Sequence, residues 1–355
     1  MNKVLKLLFA VLVVIGFSCN QPGSNENNDG DDKLSVITTT TMITDLAKQI
    51  GGDAINVQGL MGSGVDPHLY KASEGDVSKL YTANVIIYNG VHLEGKMDDI
   101  LKKMNSATRK TYAIADVIPE QNLIKPNSEY SHHDPHIWFD IDNWKLAANY
   151  VAKILSENDS KNQELYAKNL AKYLLELDGL KSSVTAKIDK VPTEKRVLIT
   201  AHDAFEYFGK AFNFEVVGLQ GISTVSEAGA ADVRNLAELI TTRKIPAIFV
   251  ESSVPKRNIE ALEAAVKARG YQVEIGGELY SDALGTAGTI EGTYIGMYEY
   301  NVKTIVEALG KESRKNIPKL RDLISFFFED ARPKVGIGSG QSTVGSQQMG
   351  EGSKL

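Results

Sequence analysis

Six histidines are spread through 355 residues, and several stand in short words that pair an imidazole with a carboxylate. His68 follows Asp66-Pro67 in Gly64-Val-Asp-Pro-His68-Leu-Tyr70, and His136 follows Asp134-Pro135 ahead of Ile137-Trp138. His202 stands in Thr200-Ala-His202-Asp203, and Asp282 closes Gly277-Glu-Leu-Tyr-Ser-Asp282. Neutral imidazole ligates divalent transition metals, and a carboxylate adds a hard oxygen that binds through one or two atoms. Cation capture is therefore the chemistry these words suggest. Residue types alone do not choose a set, because His92 in Asn89-Gly-Val-His92 also follows a predicted strand, and His132 and His133 form an adjacent pair. Asp282 alone reads equally as a turn or cap residue. Asp66, Asp134 and Asp203 read either as acceptors orienting a nearby imidazole or as caps.

These residues need a scaffold, and the chain alternates β-branched runs with amphipathic stretches, the pattern of parallel sheets covered by helices. Strands are predicted at Ser35–Thr39, Ile55–Leu60, Val85–Tyr88 and Tyr112–Ile114, then at Arg196–Thr200, Glu215–Gly218, Ala247–Val250 and Gln272–Ile275. Between the two groups lies the longest helical signal. Ser160-Lys-Asn-Gln163 has the form of a capping box. Tyr166, Leu170, Tyr173, Leu177, Leu180, Val184 and Ile188 then recur at steps of four and three, until Pro192 stops the run. Roughly 30 helical residues extend about 45 Å, longer than one lobe needs, so a rod bridging two lobes is expected. His68, His202 and Asp282 follow predicted strands, and His136 precedes a helix starting near Asn143. Open α/β sheets bind ligands outside the carboxyl ends of their strands, so these loops can converge in a cleft.

The start of the chain sets the compartment. Lys3 and Lys6 precede an apolar run from Leu7 to Phe17, about 11 residues against the roughly 20 of a membrane-spanning helix, so a signal peptide is expected. Cys19, the only cysteine, follows it directly and resembles the lipid-attachment site of bacterial lipoproteins, although Gly16 stands where a leucine is usual. A single thiol forms no intrachain disulfide, so the core alone must hold the exported fold. Asn20 to Asp32 offers no apolar side chain and reads as a flexible tether. Pro333 to Leu355, rich in Gly, Ser and Gln, reads as a loose tail whose closing Ser353-Lys-Leu355 matches a peroxisomal address by chance. The net charge is −6, and no basic run points to nucleic acid.

From Leu34 to Leu309 the chain resembles the TroA-type solute-binding lipoproteins of manganese/zinc ABC importers. The words that carry the resemblance are Gly-Val-Asp-Pro-His68-Leu-Tyr, Ile-Tyr-Asn-Gly90, Asp-Pro-His136-Ile-Trp-Phe-Asp, Leu-Ile-Thr-Ala-His202-Asp-Ala-Phe, Phe-Val-Glu-Ser-Ser253, Gly-Gly-Glu-Leu-Tyr-Ser-Asp282-Ala-Leu-Gly and Glu-Gly-Thr-Tyr-Ile-Gly-Met297. It implies an α/β fold of two lobes, each a parallel sheet flanked by helices, tied by one long rigid helix with the metal in the cleft. The expected parts are a signal peptide over 1–18, a tether over 19–33, a first lobe over 34–158, a linking helix over 159–191, a second lobe over 192–332 and a tail over 333–355. Carried over position by position, the implied ligands are His68, His136, His202 and Asp282. His92, His132 and His133 fall outside them, and Glu251 is implied as structural or as a support behind a ligand.

The resemblance further implies one zinc or manganese ion per chain as cargo, with iron within reach of the same donors, and a membrane permease as partner. A monomer, anchored through a lipidated Cys19 and without enzymatic activity, is expected. Some manganese-selective relatives carry glutamate at the position of His202, and zinc-selective relatives often carry a long histidine-rich loop where this chain has only Glu129-Tyr-Ser-His-His133. Two other readings are weighed against this one. A surface adhesin could use the same fold. A metallohydrolase would need an open water position, and the His-Glu-x-x-His word is missing from the sequence.

Overall fold

The computed structural model describes residues 33–125 and 132–310. The expected signal peptide, Cys19, the tether up to Asp32, residues 311–332 of the expected second lobe and the tail over 333–355 lie outside the described residues.

Apolar β-branched runs become strands, and the central ones, Val85–Tyr88, Val197–His202 and Ala247–Glu251, are buried on both faces as parallel sheets require, while Ile55–Gly59, Lys110–Ala113 and Glu274–Leu279 stay partly exposed. In the first half, β1 (Leu34–Thr38), α1 (Thr41–Gly51), β2 (Ile55–Gly59), α2 (Glu74–Thr82), β3 (Val85–Tyr88), α3 (Asp98–Met104) and β4 (Lys110–Ala113) follow one another. Their sheet is parallel throughout in the order β2-β1-β3-β4, with Val36 opposite both Val57 and Val85. The direction of winding reverses between β1 and β3, which opens a crevice at their carboxyl ends. Thr40 caps α1 there, its side chain accepting from the Ile43 amide.

Two helices then run through the middle of the chain, α4 (Ile141–Asn158) and α5 (Gln163–Ile188). The expected Ser160 capping box does not form. Ser160–Asn162 is a 3-10 turn, and Asn162 at the head of α5 makes no side-chain cap bond. The reason lies one residue earlier. The Asp159 carboxylate accepts from Asn162 Nδ2 at 2.7 Å and from the Tyr166 hydroxyl at 2.5 Å, drawing the entry turn around an acceptor stronger than a serine hydroxyl. Tyr166, Tyr173, Leu177, Leu180, Val184 and Ile188 are buried as the periodicity requires, and Leu170 packs against the same core. At 26 residues, α5 is about 39 Å long. It packs on α1 and α4 from the first half and on α9 (Tyr294–Leu309) from the second, so one rod links the two lobes.

The second half contains β5 (Val197–His202), α6 (Glu206–Phe212), β6 (Glu215–Gln220), α7 (Ala230–Arg243), β7 (Ala247–Glu251), α8 (Arg257–Ala268) and β8 (Glu274–Leu279) before α9. Its strands form two parallel pairs, β5–β6 and β7–β8, with β5 lying beside β7. Strand β5 continues through His202, so this histidine lies within the strand and not beyond it. Strand β8 runs later than the sequence suggests, and its pairing slips between Ile248 and Phe249, where Gly276 is the extra residue. A Cβ on Gly276 would stand 2.7 Å from Ala308 Cβ, and Gly277 has φ +147°; the glycine pair lets α9 close onto the strand.

A 3-10 turn of the first half, Ile137–Phe139, packs against the second. Trp138 Nε1 donates to Ser281 O, and the hydroxyls of Tyr294 and Tyr298 donate to the carbonyls of Trp138 and Phe139. Leu177→Ala, which removes a fully buried contact of the rod, is expected to cost about 2–5 kcal/mol in chemical denaturation. Leu175→Ala, 73 % exposed, should cost less than about 0.5 kcal/mol. Equal costs would mean that the helix faces are misassigned.

Candidate metal centre

The two Asp-Pro-His words fold into the same turn. Proline has no N–H, so the first amide available to the aspartate is that of the histidine. His68 N donates to Asp66 Oδ1 and His136 N to Asp134 Oδ1, both at 2.8 Å. The turns then diverge. Asp134 Oδ1 also meets His136 Nδ1 at 2.7 Å, fixing the ring so that Nε2 faces away from the carboxylate. Of the two readings open for Asp66, the turn cap is the one seen; its Oδ2 accepts from Thr224 Oγ1 at 2.6 Å, tying the His68 turn to the β6–α7 loop.

His202 is held from β7. Glu251 Oε1 accepts the His202 amide at 2.8 Å, and Oε2 lies 2.6 Å from His202 Nδ1, with the ring turned off a straight hydrogen-bond line. Glu251 therefore stands behind His202 as Asp134 stands behind His136. Asp203 departs from expectation, because its carboxylate takes no imidazole proton and its Oδ1 is buried without a hydrogen-bond partner. Burial, and then the neighbouring Asp134, push the Asp203 carboxyl up to about 6. Asp282 follows β8 by three residues and accepts from Ser253 Oγ at 3.3 Å, while Ser253 and Ser281 share a 2.9 Å hydroxyl contact. Leu284 N donates to Thr41 Oγ1 and Leu284 O accepts from Ser63, stitching the Asp282 loop to the first half.

These elements bring His68, His136, His202 and Asp282 together, with one donor atom from each within 4.8 Å of the others. His68 is 4 % exposed and the other three at most 1 %. His68 Nε2 and His136 Nε2 are 3.3 Å apart, Asp282 Oδ1 is 3.4 Å from His136 Nε2, and Asp282 Oδ2 is 3.3 Å from His202 Nε2. A tetrahedral ion with bonds of about 2.0–2.1 Å requires ligand-to-ligand edges of about 3.3–3.4 Å. His202 Nε2 and Asp282 Oδ1 are buried without hydrogen-bond partners, as donors awaiting a cation would be. Three imidazoles and one carboxylate at these separations can hold a divalent transition metal.

The other histidines are elsewhere. His92 pairs with Asp98 at 3.0 Å and stacks on His132, while His133 lies 3.3 Å from Glu120. Ser253 and Glu251 were both visible in one word, Phe-Val-Glu-Ser-Ser253. Ser281 stood beside Asp282 in its word, and Thr224 carried no sequence signal, because it acts through a contact with Asp66, 158 residues away.

Burial holds the His68 imidazole down at about 3, against the opposing pull of Asp282. Burial also disfavours charge on His136, but Asp134 on one side and Asp282 on the other outweigh it and push it up to about 9. His202 is raised well above the usual value because Glu251 and Asp282 outweigh its burial, and the same two imidazoles overcome burial to hold Asp282 well below the usual carboxylate range.

The architecture is that of a cleft-type binding protein, with four donors drawn from loops and strand ends of two lobes and closed off from water. Over residues 36–308 the chain matches the family described as zinc-uptake complex component A, periplasmic (ZnuA), and it belongs to that family. It is 48 % identical over 311 residues to the zinc-binding protein TroA of Treponema pallidum, covering 87 % of this chain and 99 % of the relative. The solved structure of that periplasmic zinc-binding protein superposes with a TM-score of 0.77 at 47 % identity, covering 79 % of this chain and all of the other. The manganese-binding lipoprotein MntA of Bacillus subtilis is 44 % identical over 303 residues, covering 85 % of this chain and 97 % of the relative. The manganese ABC transporter substrate-binding lipoprotein PsaA of Streptococcus pneumoniae is 31 % identical over 316 residues, covering 88 % and 100 %.

A cation that displaces protons from His136 and His202 binds more weakly wherever those protons are held. Affinity should therefore rise with pH up to about 9, a window higher than the free-imidazole value of about 6.5 would set. Zinc titrations from pH 6.5 to 9 in buffers of different ionisation enthalpy should show about two protons released per ion near pH 7. Affinity flat between pH 7 and 8.5, with no proton release, would contradict the protonated-pair arrangement.

Proposed function

We propose that this protein captures one divalent transition metal, zinc or manganese, between its lobes outside the cytoplasm and delivers it to the membrane permease of an ABC importer. His68, His136, His202 and Asp282 are the ligands, Asp134 and Glu251 orient two of the imidazoles, and the metal is cargo. The observation that carries this reading is the convergence of four buried donors, one atom from each within 4.8 Å of the others, with three of the contacts at 3.3 to 3.4 Å, near the edge length of a tetrahedral site. A catalytic site of this kind keeps three protein ligands and an open water position, whereas four buried protein donors converge here, so capture without chemistry fits better than hydrolysis. Relatives named as zinc-binding, as manganese-binding and as parts of ABC transporters support the cargo and the partner. Relatives named as lipoproteins support anchoring through a lipidated Cys19; loss of detergent partitioning in Cys19→Ala tests this, and unchanged partitioning would refute it.

His68 and His136 come from the first half of the chain, and His202 and Asp282 from the second. Any opening of the cleft divides the ligands two and two, which offers a route for release. Between the two cargoes, three imidazoles favour zinc, since nitrogen-rich sites hold zinc more tightly than manganese and supply then decides occupancy.

Competitive zinc and manganese titrations should saturate at one ion per chain. His202→Ala should weaken both metals, His202→Glu should lower zinc affinity more than manganese affinity, and His92→Ala should leave both unchanged. Loss of binding in His92→Ala with retention in His202→Ala would overturn the ligand assignment.

A further inference from the structure

Behind the first lobe's two candidate ligands sits a buried carboxylate that the metal site does not touch. Glu94 is 1 % exposed. Its Oε1 accepts from Thr39 Oγ1 at 2.6 Å and from the Asn89 amide at 2.8 Å, and its Oε2 accepts from the Gly90 amide at 3.2 Å. Thr39 and Asn89 are the residues immediately beyond β1 and β3, so one side chain clamps both strand ends at the point where the sheet reverses its winding.

Reaching that position distorts the backbone. Gly90, Val91 and His92 are three consecutive left-handed residues, with φ of +83°, +50° and +65°. Glycine accepts this region readily, but a β-branched valine rarely enters it, and such conformations persist only where surrounding contacts enforce them. The turn closes through Leu93 N donating to Gly90 O, and this curl returns Glu94 to the end of its own strand.

Two short connections run from this clamp to the metal centre. Asn89 Nδ2 donates to Pro135 O at 2.9 Å, and Pro135 is the residue before His136. On the other side, Met61 N donates to Thr39 O at 3.0 Å, which fixes the start of the loop that ends in His68. Both imidazoles of the first lobe are thus suspended from residues that Glu94 holds, and their Nε2 atoms stand 3.3 Å apart.

From this geometry we infer that Glu94 is a positioning residue for metal capture: through Thr39 and Asn89 it sets the spacing between His68 and His136, and so the affinity and coordination geometry of the site. The inference rests on the metal-binding reading above. Glutamine keeps the shape of Glu94 but points an NH2 group at a backbone N–H, so one of the three donors loses its acceptor. Partners hydrogen-bonded directly to metal ligands typically change affinity about 10- to 100-fold when altered, and Glu94, one link further back, is expected at the lower end of that range.

The probes are cobalt(II), whose visible bands report donor geometry, and zinc. Glu94→Gln should bind both about tenfold or more weakly, with altered cobalt bands, at a temperature where circular dichroism shows a native fold. Thr39→Val, which removes a single donor, should shift affinity and bands in the same direction by less. Val266→Ala, buried in the separate core of the second half, should lose thermal stability with affinity and cobalt bands unchanged. A purely structural role would make Glu94→Gln behave like Val266→Ala. Wild-type affinity and bands in folded Glu94→Gln would overturn the inference; if that variant does not fold, the same result in Thr39→Val would do so. His136→Ala separates the two levels, because undiminished metal binding in that variant would remove the site itself, whatever Glu94 does.

Discussion

Asp282 lies between two imidazoles in a seam from which water is excluded, and much of the structure follows from that placement. A buried carboxylate is costly unless it is compensated, and here the partners are the Nε2 atoms of His136 and His202, at 3.4 and 3.3 Å. Those rings are themselves backed by carboxylates, Asp134 and Glu251, so carboxylate and imidazole alternate across the cleft. Such an arrangement is well balanced either with protons or with a divalent cation. It is poorly balanced with neither, which makes occupancy and proton release two sides of one equilibrium.

Holding four donors from two lobes at bonding distance requires a frame that resists drift. The 26-residue helix α5 supplies the back of that frame by packing against helices of both halves. The front is stitched by the turn after His136, whose Trp138 donates to Ser281 beside Asp282. Leu284, two residues beyond Asp282, is tied in turn to Thr41 and Ser63 of the first half. His68, His136 and Asp282 each lie within two residues of an anchoring contact with the opposite lobe, through Asp66–Thr224, Trp138–Ser281 and Leu284–Thr41, while His202 is held by Glu251 of its own half.

How much of this could be read beforehand depended on the range of the interaction. The β-branched runs, the period of α5 and the Asp-Pro-His turns are local, and they showed in the sequence because local sterics and hydrogen bonding produce them. Selecting four donors from six histidines and many carboxylates needed a family resemblance, since nothing in the spacing of His92 set it apart from His68. What stayed hidden was which acceptor wins. Asp66 reaches Thr224, 158 residues away, a partner only the folded chain defines. Asp159 draws Asn162 and Tyr166 around it in place of a Ser160 cap, a local competition in which the carboxylate is the stronger acceptor.

The central claim is that four side chains share one ion, and zinc-edge X-ray absorption on protein loaded with one equivalent of zinc tests it directly. A shell of four light donors at about 2.0–2.1 Å, with the outer-shell scattering of three imidazole rings, is the predicted result. Six-fold coordination at longer distances, or fewer than three imidazoles, would contradict it.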